Sequence, residues 1–183
     1  FNDVQPDTVH GLGGRQYRTD PKYGNIFDHF GVEFNYPGDV RTISTCRQIE
    51  GTAGNVSERV VGTKGWTNCS GRIEGENAWR YRGPRSDPYV QEHTDLIASI
   101  REGKPLNEGK RIANSTLCAI MGRESAYSRQ QFKTSWFTSR CTLDLLPPAD
   151  LKLSDSKPVP PVAIPGEYEL PGFPQRQRRG NRG

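Results

Sequence analysis

Residues 23–48, YGNIFDHFGVEFNYPGDVRTISTCRQ, read as two strands around a tight turn. Ile26, Phe30, Val32, Phe34 and Tyr36 recur at period two and so share one face of a strand, while His29, Glu33 and Asn35 take the other. Pro37 presets φ for the first turn position and Gly38 accepts positive φ at the second. Val40, Thr42, Ser44 and Cys46, or their odd-numbered neighbours, return as the inward side of the partner strand. Pro-Gly matches strand twist less well than the primed turns, so a loop of three or four residues competes with one of two and the register stays open.

Outward from this hairpin, Gly11-Leu12-Gly13-Gly14-Arg15-Gln16 has the look of a phosphate loop but not its context. A dinucleotide fingerprint needs an apolar strand before it and a helix after it. Asp3 to His10 is largely polar, so the glycines read as a conformational turn tied down by Arg15 and Gln16. Downstream, Val56–Thr63, Trp66–Ile73 and Ala78–Arg82 read as three further strands with short turns, an antiparallel meander.

The period then changes. Asp87-Pro88 opens a helix with an N-cap acid and Pro at the first position, and Gly103-Lys104-Pro105 stops it. Tyr89, Leu96, Ile97 and Ile100 form its apolar stripe. A second helix runs from about Asn107 to Ser128, with Ile112, Leu117, Ile120, Met121 and Tyr127 facing inward, and Trp136-Phe137 anchors a short final turn. From Leu146 the prolines forbid regular structure, leaving an extended arm along the body. The expected fold is α+β: an open, mainly antiparallel sheet with two helices packed on one side over 1–146, then a Pro-rich arm and basic disordered tail over 147–183.

Composition narrows the function classes. The 183 residues are 32% hydrophobic and 25% charged, with 20 Gly and 14 Pro, lean for a self-sufficient core. The net charge of +4 is matched by Arg176, Arg178, Arg179 and Arg182 in the tail. The body is therefore neutral, which argues against a broad basic face for nucleic acid. No apolar run is long enough to span a bilayer. Cys46, Cys69, Cys118 and Cys141 form no CxxC pair, which leaves a zinc site without support and makes buried free thiols the expectation. The chain begins Phe1-Asn2-Asp3 and reads as a piece of a longer one.

Several short motifs accumulate in a fixed order: Gly13-Gly14-Arg15-Gln16, Tyr23-Gly24-Asn25-Ile26, Asp28-His29-Phe30, Cys46-Arg47-Gln48, Gly62-Thr63-Lys64-Gly65, Glu92-His93, Asp95 to Arg101, Gly103 to Gly109, and Pro158 to Val162 with Ile164-Pro165-Gly166. In that order they resemble the C-terminal domain of the Gfo/Idh/MocA oxidoreductases, in a bacterial, planctomycete-like branch, over nearly the whole chain. The resemblance implies a partner Rossmann domain that holds NAD or NADP, a sugar or polyol substrate, and a homo-oligomer formed through the sheet face. The family's Glu-Lys-Pro motif and His/Asp catalytic helix belong to residues outside these 183, so no catalytic, cofactor or metal residue is assigned and the fragment by itself is expected to be inactive. Its expected contribution is a substrate wall made by Arg15, His29, Arg47 and Gln48, polar groups able to donate to hydroxyls or a carboxylate. The plainer roles are a sheet-face hydrogen bond for His29 and a cross-strand ion pair with Asp28 or Glu33 for Arg47. The competing function is a non-catalytic binding or assembly module that keeps the fold.

Overall fold

The computed structural model describes residues 3–156 and 158–174. The arginine tail, Arg176 to Arg182, lies outside the described residues. The protein is α+β, with antiparallel sheets and helices, and its residues fall into two compact units. One is built on Phe1–Glu50 with Gly109–Gly183 and the other on Gly51–Glu108. The sequence reading placed its one boundary at 146/147. The compact units fall elsewhere, because 51–108 clusters by itself and the arm contributes to the first unit's core.

In the first unit, β1 (Thr8–Gly14), β2 (His29–Tyr36), β3 (Val40–Arg47) and the short β8 (Phe132–Lys133) form an antiparallel sheet in the order β3-β2-β1-β8. The hairpin register pairs Tyr36 with Val40, Phe34 with Thr42, Val32 with Ser44 and Phe30 with Cys46. The turn is thus the three-residue Pro37-Gly38-Asp39, with Gly38 and Asp39 both at positive φ. The even-numbered set of β3 shares the inner face, yet most of β3 is exposed, as an edge strand is. Val32 and Phe34 are buried and Phe30 and Tyr36 pack beside them, as the alternation requires. Ile26 departs from the expected face: it precedes the strand and is exposed, and Phe27 is buried in its place.

The glycine stretch is not a turn but the strand β1. Gly11, Gly13 and Gly14 are absent from the positive-φ glycines, and their small size serves close approach instead. A Cβ on Gly11 would lie 2.7 Å from the Gly122 carbonyl oxygen and 2.8 Å from the Ala126 nitrogen of α2 (Gly109–Ser128). Here α2 lies so close to the sheet that the Gly11 amide donates to Ser125 Oγ at 2.7 Å. The hydroxyl in turn donates to the Gln130 carbonyl at 2.6 Å. Around this seam Val9, Val32, Phe34, Met121, Phe132, Phe137 and Leu170 form the core. Ile112, expected inside, is exposed on the first turn of α2, and the inward stripe begins only at Leu117.

The arm closes this core. Ala163 and Leu170 are buried, and Phe173 packs edge-on to Trp136 of α3 (Thr134–Arg140), ring centroids 4.8 Å apart. Tyr168 donates its hydroxyl to Glu124 Oε2 at 2.7 Å, while Arg123 contacts Oε1 at 2.8 Å. Burial, reinforced by the Glu124 carboxylate, pushes the Tyr168 phenol well above its usual range, so it stays a donor at all ordinary pH. Removing the hydroxyl in Tyr168→Phe leaves a buried carboxylate oxygen without its donor. The expected loss is about 2 kcal/mol in a urea titration. A loss below about 0.5 kcal/mol would mean the arm is held by its apolar residues alone.

In the second unit, β4 (Val60–Gly62), β5 (Gly65–Thr67), β6 (Arg72–Gly75) and β7 (Trp79–Arg80) form a separate meander in sequence order. The continuous strand expected over 66–73 is a hairpin. Asn68 Oδ1 accepts from the Ser70 amide at 3.2 Å, and Cys69 and Gly71 take positive φ, so the chain reverses at 68–71. Helix α1 (Pro88–Glu102) has its expected ends. Asp87 accepts from the Tyr89 and Val90 amides, and Gly103 is left-handed with Lys104 N donating to the Ser99 carbonyl. Its stripe Tyr89, Leu96, Ile97 and Ile100 is exposed, and in the first unit α2 packs along β1 and β2. All four cysteines are free thiols, but Cys46 and Cys69 are exposed rather than buried. Among the described residues no helix is long and apolar enough to cross a membrane.

Candidate functional site

The candidate site is the end of the first sheet where β1 finishes, β2 begins and β3 finishes. Its organising group is Asp28, whose side chain is fully buried. Oδ2 accepts from the backbone amides of Gln16 at 2.8 Å, Tyr17 at 2.6 Å and Arg18 at 2.9 Å. Oδ1 lies 2.8 Å from His29 Nδ1. Burial would raise this carboxyl, but the Arg18 amide, His29 and the Tyr17 and Gln16 amides outweigh it and hold the group well below the usual carboxylate range. An ionised Asp28 has no proton to give, so Nδ1 of His29 carries the hydrogen between them.

This bond orients the ring. His29 is register-paired with Gly14 on one side and Arg47 on the other. A Cβ on Gly14 would lie 3.2 Å from His29 Cε1, so the imidazole lies over the glycine. With Nδ1 committed to Asp28 and the side chain about one-third exposed, Nε2 is the nitrogen left to meet a ligand hydroxyl. An imidazole held this way can accept a proton while its carboxylate partner stabilises the resulting cation.

The loop from β1 to β2 is drawn inward by a second device. Arg15 Nε donates to the Arg18 carbonyl at 2.6 Å, and its two terminal nitrogens donate to the Gly24 carbonyl and to the Asp20 carbonyl. Arg15 thus spends three donors on shaping the loop. Across the sheet end the Gln48 amide donates to the Asp28 carbonyl at 2.8 Å, and Arg18 Nε donates to the Gln48 carbonyl at 2.8 Å. Beside the loop, Arg15, Thr19, Pro21 and Gly24 face Val159 to Val162 of the arm across a pocket of about 480 Å³.

The four residues expected from the sequence lie at one end of one sheet: the Arg15 side chain shapes the loop, the His29 side chain meets Asp28, and Gln48 takes part through its backbone. Arg47 stands beside His29 in register. Glu33 is 3.9 Å from Arg41, and the Asp28 oxygens accept from the three amides and meet His29. His93 Nδ1 meets the Tyr89 carbonyl within α1 at 2.7 Å and lies in the other unit. The sequence reading missed Asp28 as the centre and Arg18 as a participant. The available signal was an acid lodged between Phe27 and Phe30 at a strand start, where a carboxylate is buried only with partners.

The glycine stretch does not fit a nicotinamide dinucleotide. It lies inside an antiparallel ladder, no helix follows it, and the Gly11 amide is already given to Ser125. Comparison with family models, with curated proteins and with solved structures returns no match for this chain.

Proposed function

We propose that this chain is the substrate-side part of an NAD(P)-dependent oxidoreductase acting on a sugar or polyol, working with a separate domain that holds the nucleotide. The observation that supports it most is buried Asp28 fixing His29 at the sheet end where Arg47 stands in register and Arg15 and Gln48 continue the neighbouring strands. In this reading they form a polar wall with His29 Nε2 turned to the ligand, suited to hydroxyl-rich substrates. In this reading His29 accepts a hydrogen bond from a substrate hydroxyl, Arg47 donates beside it, and Arg15 keeps the loop in place. The resemblance to the Gfo/Idh/MocA C-terminal domain supplies the reaction class.

The test uses the protein from its whole reading frame, assayed with NAD⁺ and NADP⁺ separately against a panel of sugars and polyols. His29→Ala should raise KM about tenfold, the worth of one substrate hydrogen bond, and should also cost about 1–2 kcal/mol of stability because Asp28 Oδ1 loses its partner. Oxidoreductase turnover by these 183 residues alone, or a whole protein that binds no nucleotide, would overturn the reading. Exposed Leu12 and Ile43 on the outer face of the sheet favour a second reading, an assembly module. A whole protein that forms stable oligomers and shows no nucleotide binding would select it.

A further inference from the structure

The second unit's meander gathers positive charge on one face in an arrangement that costs stability. In register, Arg72 of β6 lies directly opposite Arg80 of β7, and like charges so placed repel. Arg82 follows two residues on, beside the same shallow groove of about 490 Å³ that Arg72, Glu74 and Arg80 line. Glu74 is held by Arg72 Nε. Among the described residues the side chains of Arg80 and Arg82 have neither a hydrogen bond nor an ion pair. One row further, Trp66 is paired with Glu74 and carries the Arg59 guanidinium 4.2 Å above its ring. Arg59 is thereby turned to stack on the indole rather than to neutralise an acid. The groove itself is lined by three guanidinium groups and one carboxylate.

We infer that the Arg72–Arg80–Arg82 groove binds a tetrahedral oxyanion, the phosphate or sulfate group of a small anionic ligand. Guanidinium groups present paired donors that match two oxygens of such a group, and a dianion between Arg72 and Arg80 converts their repulsion into attraction. The placement of charge is what separates this from an ordinary solvated surface: opposite positions on neighbouring strands are where unlike charges or neutral pairs serve the apo fold best.

The experiment uses the full chain, with inorganic phosphate and inorganic sulfate as probes at constant ionic strength set by chloride. Amide chemical shifts of residues 72–82 should move saturably with both probes if the site reads the shared tetrahedral chemistry. They should move with one probe only if the site is selective for that source. The Arg80→Gln, Arg82→Gln double variant should lose at least about tenfold in affinity, while Arg101→Gln on α1 should not change it. A second readout does not depend on measuring affinity. In chloride alone Arg80→Gln should melt above the parent, because the repulsion is relieved; in saturating phosphate or sulfate the order should reverse. Shifts that never saturate, or a double variant that binds as well as the parent, would overturn the inference. So would an Arg80→Gln that melts below the parent in chloride.

Discussion

Gly11→Val should destabilise the first unit by about 3 kcal/mol or more. The reason is that the space a side chain needs is filled by backbone. The nearest atoms to a Cβ at Gly11 are the Gly122 carbonyl oxygen at 2.7 Å, the Ala126 nitrogen at 2.8 Å and its Cα at 3.3 Å. None of these can rotate away. Relief requires α2 to lift from β1, which breaks the Gly11–Ser125 hydrogen bond and opens the core around Met121 and Val9. Gly31→Ala is the matched control: it lies on the opposite face, and its Cβ would meet only the exposed Leu12 side chain at 3.4 Å. Urea denaturation should place the control within about 0.5 kcal/mol of the parent. A Gly11→Ala variant equally close to the parent would show that the helix does not approach the strand as described.

The second large effect is expected at Asp28. Asp28→Ala removes the acceptor for three amides and for His29 in a buried site, a loss of about 3–4 kcal/mol. It should also release the loop that carries Arg15 and Arg18, so sugar or polyol affinity should fall together with stability. The pH dependence separates the charge from the shape. The folded-state pKa of Asp28 lies below the ordinary value of 3.8. The ionised form is therefore favoured by folding, and its stabilisation is fully present above that ordinary value. It drains away as pH falls below about 4 towards the depressed folded value. Asp28→Asn keeps the side-chain size but has no such proton to take up. Its deficit against the parent should be largest near neutral pH and should shrink on acidification, as read from urea midpoints across that range. Parallel pH profiles for parent and Asn variant would remove Asp28 from the account of acid stability.

Local rules carried the reading wherever one residue's chemistry was enough. The alternation Phe30, Val32, Phe34, Tyr36 was visible because a pleated strand exposes its period directly, and Asp87-Pro88 with Gly103 marked both ends of α1 because caps act over one turn. The α+β class followed from these. The four candidate residues were also legible as polar groups near strand ends. Other features depended on what lies across space. The glycines of β1 look like a turn in sequence, since glycine serves positive φ and close approach alike, and only the position of α2 distinguishes the two. The stretch 66–73 looks like one strand until Asn68, Cys69 and Gly71 are seen to reverse it. Asp28 was legible as an acid, but whether a carboxylate pairs with an arginine or gathers backbone amides is decided by the loop that folds over it. The arm was legible only as extended, proline-rich chain; nothing local marked Tyr168, Leu170 and Phe173 as core residues. That they finish the core of the first unit was set by the buried Glu124, which lies 44 residues away from Tyr168 and offers the one oxygen its hydroxyl needs. Sequence alone determined the period of the β2 strand and both ends of α1, because those are set by neighbours along the chain. The tertiary structure decided every role that depends on which backbone or side chain arrives from elsewhere.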